Sequence, residues 1–496
     1  MDVKRIMETK MIISGTELYH KCLEVLQKPR PTRLELDKVF HDLNLMLQTS
    51  FTEDDENIAT LWFSIGTCLN KMGRTVMALS CFEEALKTKP DFIEAINNIG
   101  YVYKKLNHHQ RALENFKKVI DLIESKPNSD IYDSKTKSEF YTNYGSMFVC
   151  NGTPEKAIEI FNKGDVLNPE NLQNKYNKGL AQLETGDYEN GFIGYDLGDR
   201  KEKTSARNYT IDNLPYWDGT PGKNVVVIGE QGIGDELMFG TIIPDLMKDC
   251  NVVIDAHPRL ADMFRRSFPT IDVYGTRKSP NYGWGSRYKF DAKVLIGSLA
   301  QFYRKNEGDF PKVPYLAVNE QYNERYGKRL SLLGEKPKIG ISWRGGTKQT
   351  GQNNRYIPLE EWLPILGMDC DFISLQYDHD IKKDVDEFCE KNKVMIHHWP
   401  EMLEDYEQTA ALVNNLDLII SVPQSVIHLS GVIGNTITWQ ICPVKSLWQG
   451  GVYGHDMPWY ANVSNIWQGK NDIGWKQTME TIKDKLCILL QMNTEN

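Results

Sequence analysis

The feature that most constrains this chain is a repeat. In "ATLWFSIGTCLNKMGRTVMALSCFEEALKTKPD" the marker residues are Trp62, Gly66, Gly73, Ala78, Phe82, Ala85 and Pro90. The frame recurs with Gly100, Tyr103, Ala112 and Phe116, Gly100 standing 34 residues after Gly66. After an insertion around "ESKPNSDIYDS" it returns as Tyr141, Gly145, Gly152, Ala157, Phe161 and Pro169, and a fainter copy carries Gly179, Gly186 and Tyr195. A unit of this kind is a pair of helices. Small residues let the two helices approach, the aromatic fills the gap between them, and proline stops the second helix. Such units bury their apolar faces on one another, so they must stack.

The register is that of a tetratricopeptide solenoid, expected over residues 58–205, with residues 1–57 as a helical cap whose stretch 11–50 forms an extra helix pair. Solenoids present a concave face, here expected to recruit an acceptor or a protein partner. The remainder of the 496 residues is too long for one core. A net charge of −9 argues against nonspecific nucleic-acid or anionic-membrane binding. No apolar run is long enough to span a membrane. The start, "MDVKRIMETKMIISG", lacks the apolar core of a signal peptide. Nine cysteines without a C-x-x-C pair read as reduced thiols, which places the chain in the cytoplasm.

From Lys223 the pattern changes. Apolar runs "NVVVIG", "NVVIDA", "FDAKVLIG", "KIGISW", "FISLQ" and "LDLIISV" alternate with helical stretches at 235–249, 258–268, 358–366, 380–391, 402–415 and 424–433. This alternation predicts parallel sheets with helices on both faces. A seam near 318–336 divides two Rossmann-like α/β domains, 206–330 and 331–496. The fold class is therefore an α-solenoid followed by a pair of α/β domains. Ligands of such sheets sit at the carboxyl ends of the strands.

The loop "GEQGIGDELMFG" follows the first strand directly. It departs from the dinucleotide fingerprint because Leu237 occupies the third glycine place, although Asp255 would suit a ribose contact. A dinucleotide-dependent oxidoreductase is accordingly a third-ranked reading. Asp235 falls in the first turn of a helix, where the dipole keeps a carboxylate ionised. That suits a general base, and equally suits plain complementation of the dipole by Asp235 or Glu236.

Taken with that loop, the segments "IGISWRGGTKQTGQNNRYIPLEEWLPIL", "FISLQYD", "HHWPEMLEDYEQTAALVNNLDLIISVPQSVIHLSGVIGN" and "WQGGVYGHDMPWY" resemble, in order and spacing, tetratricopeptide-repeat glycosyltransferases of the heptosyltransferase-like group, glycosyltransferase family 9, with a GT-B fold. The resemblance covers about residues 58–470. It implies an enzyme that moves a sugar from a nucleotide-sugar donor to an acceptor hydroxyl, inverting and metal-independent, with no cofactor. Gln231, Gly232 and Gly234 would form the acceptor-side loop and Asp235 the base. Arg344, Gly345, Gly346 and Lys348 would meet the donor diphosphate, with Arg355 adding charge. The loop of Pro423, Gln424, Ser425 and Val426 opens a helix whose N–H groups suit pyrophosphate. Gln376 would meet the base or ribose. Asp405 and Thr409 divide between nucleotide contact and helix capping. For His428 a packed core histidine is the favoured alternative to a ligand contact.

Many relatives carry Asp-Thr where this chain has Pro423-Gln424, and proline offers no N–H. A catalytically inactive scaffold that binds nucleotide or glycan is therefore the alternative. A rival pair, Asp378 and Asp380, follows a strand as cation ligands would. With cations already at hand for the diphosphate, a metal is not expected. The acceptor stays open among protein, glycan, lipid-linked sugar and modified nucleobase.

Overall fold

A computed structural model describes residues 17–48, 55–125, 132–198, 213–229, 232–277, 283–346, 355–377, 381–445, 447–472 and 474–494. The chain divides into two compact units, Met1–Asn174 and Lys175–Asn496.

The first unit is helical. Residues 17–27 and Arg33–Gln48 form the expected leading pair, and Leu36, Val39, Leu43 and Met46 are its buried stripe. Three pairs follow: Asp55–Lys71 with Thr75–Thr88, Ile93–Lys105 with His109–Ser125, and Ser134–Cys150 with Pro154–Leu167. One contact is repeated in each. A Cβ built on Gly66 would lie 2.7 Å from the Phe82 ring, on Gly100 2.9 Å from Phe116, and on Gly145 2.6 Å from Phe161. The glycine makes room for the aromatic that seals its own pair. The turn inside each pair also repeats: Gly73, Asn107 and Gly152 all have positive φ, of 78°, 61° and 67°. Asn107 stands where the other pairs use glycine, and asparagine is among the few residues that tolerate this left-handed backbone.

The second unit begins inside the helix Leu172–Glu184, so the fourth helix pair, completed by Tyr188–Asp196, belongs with the α/β body. Its aromatics show why. Tyr195 packs beside Phe239 and Trp448, while Phe192 meets Trp448 and Trp459 edge-on. The Asp196 carboxylate accepts from the Ser298 hydroxyl. A single apolar core runs from Leu183 through the first sheet to Val463.

Two parallel sheets follow. The first holds β1 (Asn224–Ile228), β2 (Asn251–Asp255), β3 (Asp272–Tyr274) and β4 (Ala292–Leu295) in the order β3-β2-β1-β4. The second holds β5 (Lys338–Ser342), β6 (Asp371–Ser374), β7 (Ile396–His397), β8 (Leu418–Ser421), β9 (Ile437–Cys442) and β10 (Val463–Trp467), ordered β10-β9-β8-β5-β6-β7. Every pairing is parallel. In both sheets the chain leaves the first strand, builds to one side, then crosses to the other. That reversal makes a crevice at the carboxyl ends of β1/β4 and of β5/β8.

Four strands escape the sequence pattern. β3 and β7 are very short edge strands, and β9 and β10 mix Thr438, Gln440 and Asn465 among their apolar residues. The stretch expected as one helix at 235–249 is two, Ile233–Gly240 and Ile243–Asp249, the second opening at Pro244. The 318–336 seam is itself mostly a helix, Glu320–Ser331, which packs Tyr326 and Leu330 inward and bonds Tyr326 Oη to Gln408 at 3.2 Å. No helix among the described residues is long and apolar enough to cross a membrane.

Candidate active site

At the end of β1 the chain turns through Gly229 and re-enters at Gly232, which caps the helix Ile233–Gly240. The two acids of that first turn point to different places. Glu236 is fully buried, with Arg277 Nε 2.7 Å away and the His257 N–H donating at 2.8 Å. A Cβ on Gly229 would lie 2.5 Å from this carboxylate, so glycine is needed to admit it. With Glu236 held inward, Asp235 is the half-buried acid of that turn at the crevice. Its Oδ2 accepts the Gly232 N–H at 3.0 Å, which satisfies a donor that the helix leaves open. Asp255, considered for a ribose, is instead fully buried and accepts from the Thr276 N–H and hydroxyl, both at 2.8 Å. The dinucleotide reading loses its contact there.

The second crevice is assembled from β5 and β8. Arg344 leaves β5 and bridges to Tyr356. Gly345 runs so close beneath the next loop that a Cβ would lie 2.3 Å from the Pro423 carbonyl oxygen, and Gly346 takes a left-handed φ of 72°. Arg355 is buried, and its Nη1 reaches the Pro423 carbonyl at 3.5 Å. Burial pulls this guanidinium below its usual range, opposed by the Tyr377 and Asp235 charges nearby. Opposite, the helix Ser425–Ile433 begins with Gln424 as its cap residue, Ser425 half-exposed and Val426 buried.

Two residues expected to touch the donor are bonded within the protein. Gln376, wholly buried, accepts from Ser342 Oγ and the Arg344 N–H, each at 3.0 Å, and donates to the Arg344 carbonyl at 2.8 Å. Its amide grips the Arg344 backbone. Gln424 turns its Nε2 inward to the Ser342 and Ser421 hydroxyls. Capping also accounts for Asp405, whose carboxylate accepts the Glu407 N–H at 3.0 Å and the Tyr322 hydroxyl, and Thr409 donates to the Met402 carbonyl at 2.6 Å. Gln231, Lys348, Asp378 and Asp380 lie outside the described residues.

The two crevices meet. A Cβ on Gly234 would sit 3.0 Å from His428 and 3.2 Å from the Ser425 backbone, so the first turns of the two helices touch through this glycine. His428 packs there with Nδ1 3.0 Å from Tyr460 Oη, and burial pulls its imidazole down to about 4. It is a packed residue whose burial favours the neutral imidazole. Gln449, from the turn Trp448–Gly450, donates its Nε2 to Asp235 Oδ1 at 3.3 Å. The site therefore offers a carboxylate on one crevice, a buried guanidinium on the other, and a helix N-terminus between them. No group of three or more His, Cys, Asp or Glu among the described residues is arranged to hold a metal. Sequence reasoning missed Gln449, Ser342 and the Glu236–Arg277 pair. Only the glycine-flanked "WQGG" turn hinted at the first, and nothing local marked the other two.

A tetratricopeptide repeat model matches residues 59–92 and 93–126. Those two stretches are tetratricopeptide repeats. Protein FlbA of Caulobacter vibrioides is 24% identical over 449 residues, covering 86% of this chain and 67% of FlbA. An alignment of that extent cannot be confined to either compact unit. Among solved structures, MamA from Desulfovibrio magneticus RS-1 is similar at 17% identity over 37% of this chain and 90% of that one, with a TM-score of 0.28. The pilF protein of Pseudomonas aeruginosa is similar at 15% identity over 38% and 80%, with a TM-score of 0.31.

Proposed function

We propose that the second unit is a GT-B-type glycosyltransferase and that the tetratricopeptide repeats recruit its acceptor or a protein partner. The observation that carries this reading is the meeting of two strand-end crevices through Gly234, with Asp235 on one and Arg355, Gly345, Gly346 and the Ser425 N-terminus on the other. In this reaction the acceptor hydroxyl oxygen bonds to the anomeric carbon of a nucleotide sugar. Asp235 takes the hydroxyl proton, and the bond from that carbon to the diphosphate breaks with its electron pair on oxygen. Charge grows on the leaving diphosphate, where Arg355, Arg344 and free helix N–H groups stabilise it. Direct displacement inverts the anomeric centre.

Asp235→Asn keeps the side-chain shape and one of the two accepted N–H bonds, from Gly232 or Gln449, but cannot take the hydroxyl proton. It should bind donor normally and lose about 10²–10⁴-fold in transfer rate. Transfer close to the wild-type rate by this variant would defeat the assignment. A second reading, a scaffold that binds without turnover, draws on one observation: Gln376 and Gln424 are both engaged within the protein. Neither hydrolysis nor transfer from any nucleotide sugar, with binding intact, would favour it.

A further inference from the structure

Gln449 sits where the proposed chemistry would occur, yet no motif assigns it a role. Its Nε2 donates to Asp235 Oδ1 at 3.3 Å, while its Oε1 is buried and has no hydrogen-bond partner. Chemistry fixes which way the amide faces. Turned over, it would set oxygen against a carboxylate and lose its one bond. A buried carbonyl oxygen left unsatisfied is costly, of order 1–3 kcal/mol, and native structures rarely keep one without a reason.

The turn that carries it is firmly held. Trp448 is enclosed by Phe192, Tyr195 and Phe239, and the Gly450 carbonyl accepts from Asn465 Nδ2 at 2.7 Å. Gly451, at a φ of 80°, closes it against Pro458. A partner for this oxygen, an ordered water or a ligand, must therefore come to Gln449 and displace the side chains that now cover it. A bare acceptor calls for an O–H or N–H donor, and a sugar supplies hydroxyls.

We propose that Gln449 is a positioning residue: its N–H orients the Asp235 carboxylate, and its amide oxygen receives a hydroxyl of the transferred sugar. This rests on the glycosyl-transfer reading above. The test is calorimetric titration of UDP, GDP and ADP against UDP-glucose, UDP-N-acetylglucosamine, GDP-mannose and ADP-glucose. In the wild type one sugar conjugate should bind more tightly than its parent diphosphate. Gln449→Leu should weaken that conjugate about three- to tenfold, the worth of one hydrogen bond, and leave the diphosphate unchanged. Gln449→Glu keeps the acceptor oxygen, so the sugar increment should survive. Its second carboxylate beside Asp235 should instead move the acid limb of the transfer pH profile upward. A sugar increment that persists in Gln449→Leu, or is absent from the wild type while diphosphate binds, overturns the role of Gln449 alone. Wild-type protein that binds no diphosphate overturns the glycosyl-transfer reading, and this role with it.

Discussion

Gly66, Gly100 and Gly145 face the rings of Phe82, Phe116 and Phe161, whereas Gly179, at the same place in the fourth helix pair, faces backbone. A Cβ on Gly179 would lie 2.7 Å from Gly194 Cα and 2.8 Å from the Gly191 carbonyl oxygen. In the first three pairs the aromatic seals the gap between its own two helices, and each pair is a closed piece of solenoid. In the fourth the gap is closed by backbone on backbone. Tyr195, which stands where those phenylalanines stand, is released to pack beside Phe239 and Trp448. One substitution pattern within a repeat thus converts a stacking module into a wall of the α/β body. Through Trp448 that wall also holds the turn bearing Gln449.

The largest effect should come from removing this wall. A chain starting at residue 206 lacks Tyr188, Phe192 and Tyr195 and leaves Phe239, Phe310, Trp448 and Trp459 without their cover. Losing a buried aromatic costs about 3–5 kcal/mol, and three of them approach the whole stability of a domain. That chain should aggregate or melt without a cooperative transition. A chain starting at Pro169 keeps the entire pair and should unfold cooperatively. Equal cooperativity in the two, followed by circular dichroism or calorimetry, would mean that the fourth pair is an ordinary repeat.

Single alanines sharpen the same contrast. At Gly145 the added methyl meets a ring edge, a side chain that must tilt within its own helix pair while the backbone stays in place. Gly145→Ala should cost about 1–3 kcal/mol. At Gly179 the obstacle is backbone, so two helices must part and carry Tyr195 with them. Gly179→Ala should sit at or above the upper end of that range, about 3 kcal/mol. It should also weaken nucleotide-diphosphate binding, which Gly145→Ala should leave alone. Chemical denaturation of both variants, with a diphosphate titration of each, decides the order. A costlier Gly145→Ala would remove the distinction.

The repeats were legible because their information is local: glycine, aromatic and turn residue recur within one helix pair. Asn107 at the second turn broke the glycine pattern without breaking the geometry. The central strands were legible as continuous apolar runs, since a parallel strand covered on both faces needs nothing else. β9 was hidden by Thr438 and Gln440, which are buried but bonded to Ser430 and Asn465. The candidate site was legible as a place, at two strand ends. It was poorly legible as a list of contacts. Whether Gln376 or Gln424 meets a ligand depends on Ser342, which lies far away in sequence and carries no signal of its own. Asp235 and Glu236 are adjacent in sequence, and partners distant from both, Arg277 and the His257 N–H, hold Glu236 as the one turned inward.

The smallest effect concerns the seam where the two crevices touch. His428 is buried there as the neutral imidazole, pulled down to about 4 from an ordinary value near 6.5. The unfolded chain takes up a proton near pH 6.5 while the folded protein does not, so this residue favours the folded state fully above that pH. As pH falls from about 6.5 toward about 4 the unfolded state gains protons and the contribution is lost. Between pH 7 and pH 5.5 the second unit should lose about 1 kcal/mol through this residue. His428→Gln removes the titration and keeps a polar group near Tyr460. Its baseline stability will fall because the packing against Gly234 changes, so the slope with pH is the quantity to compare. Urea unfolding at several pH values, on the chain starting at Pro169, isolates that slope from the leading pair and the three helix pairs after it. A slope in His428→Gln equal to that of the parent chain would mean that His428 does not enter this seam as a neutral group.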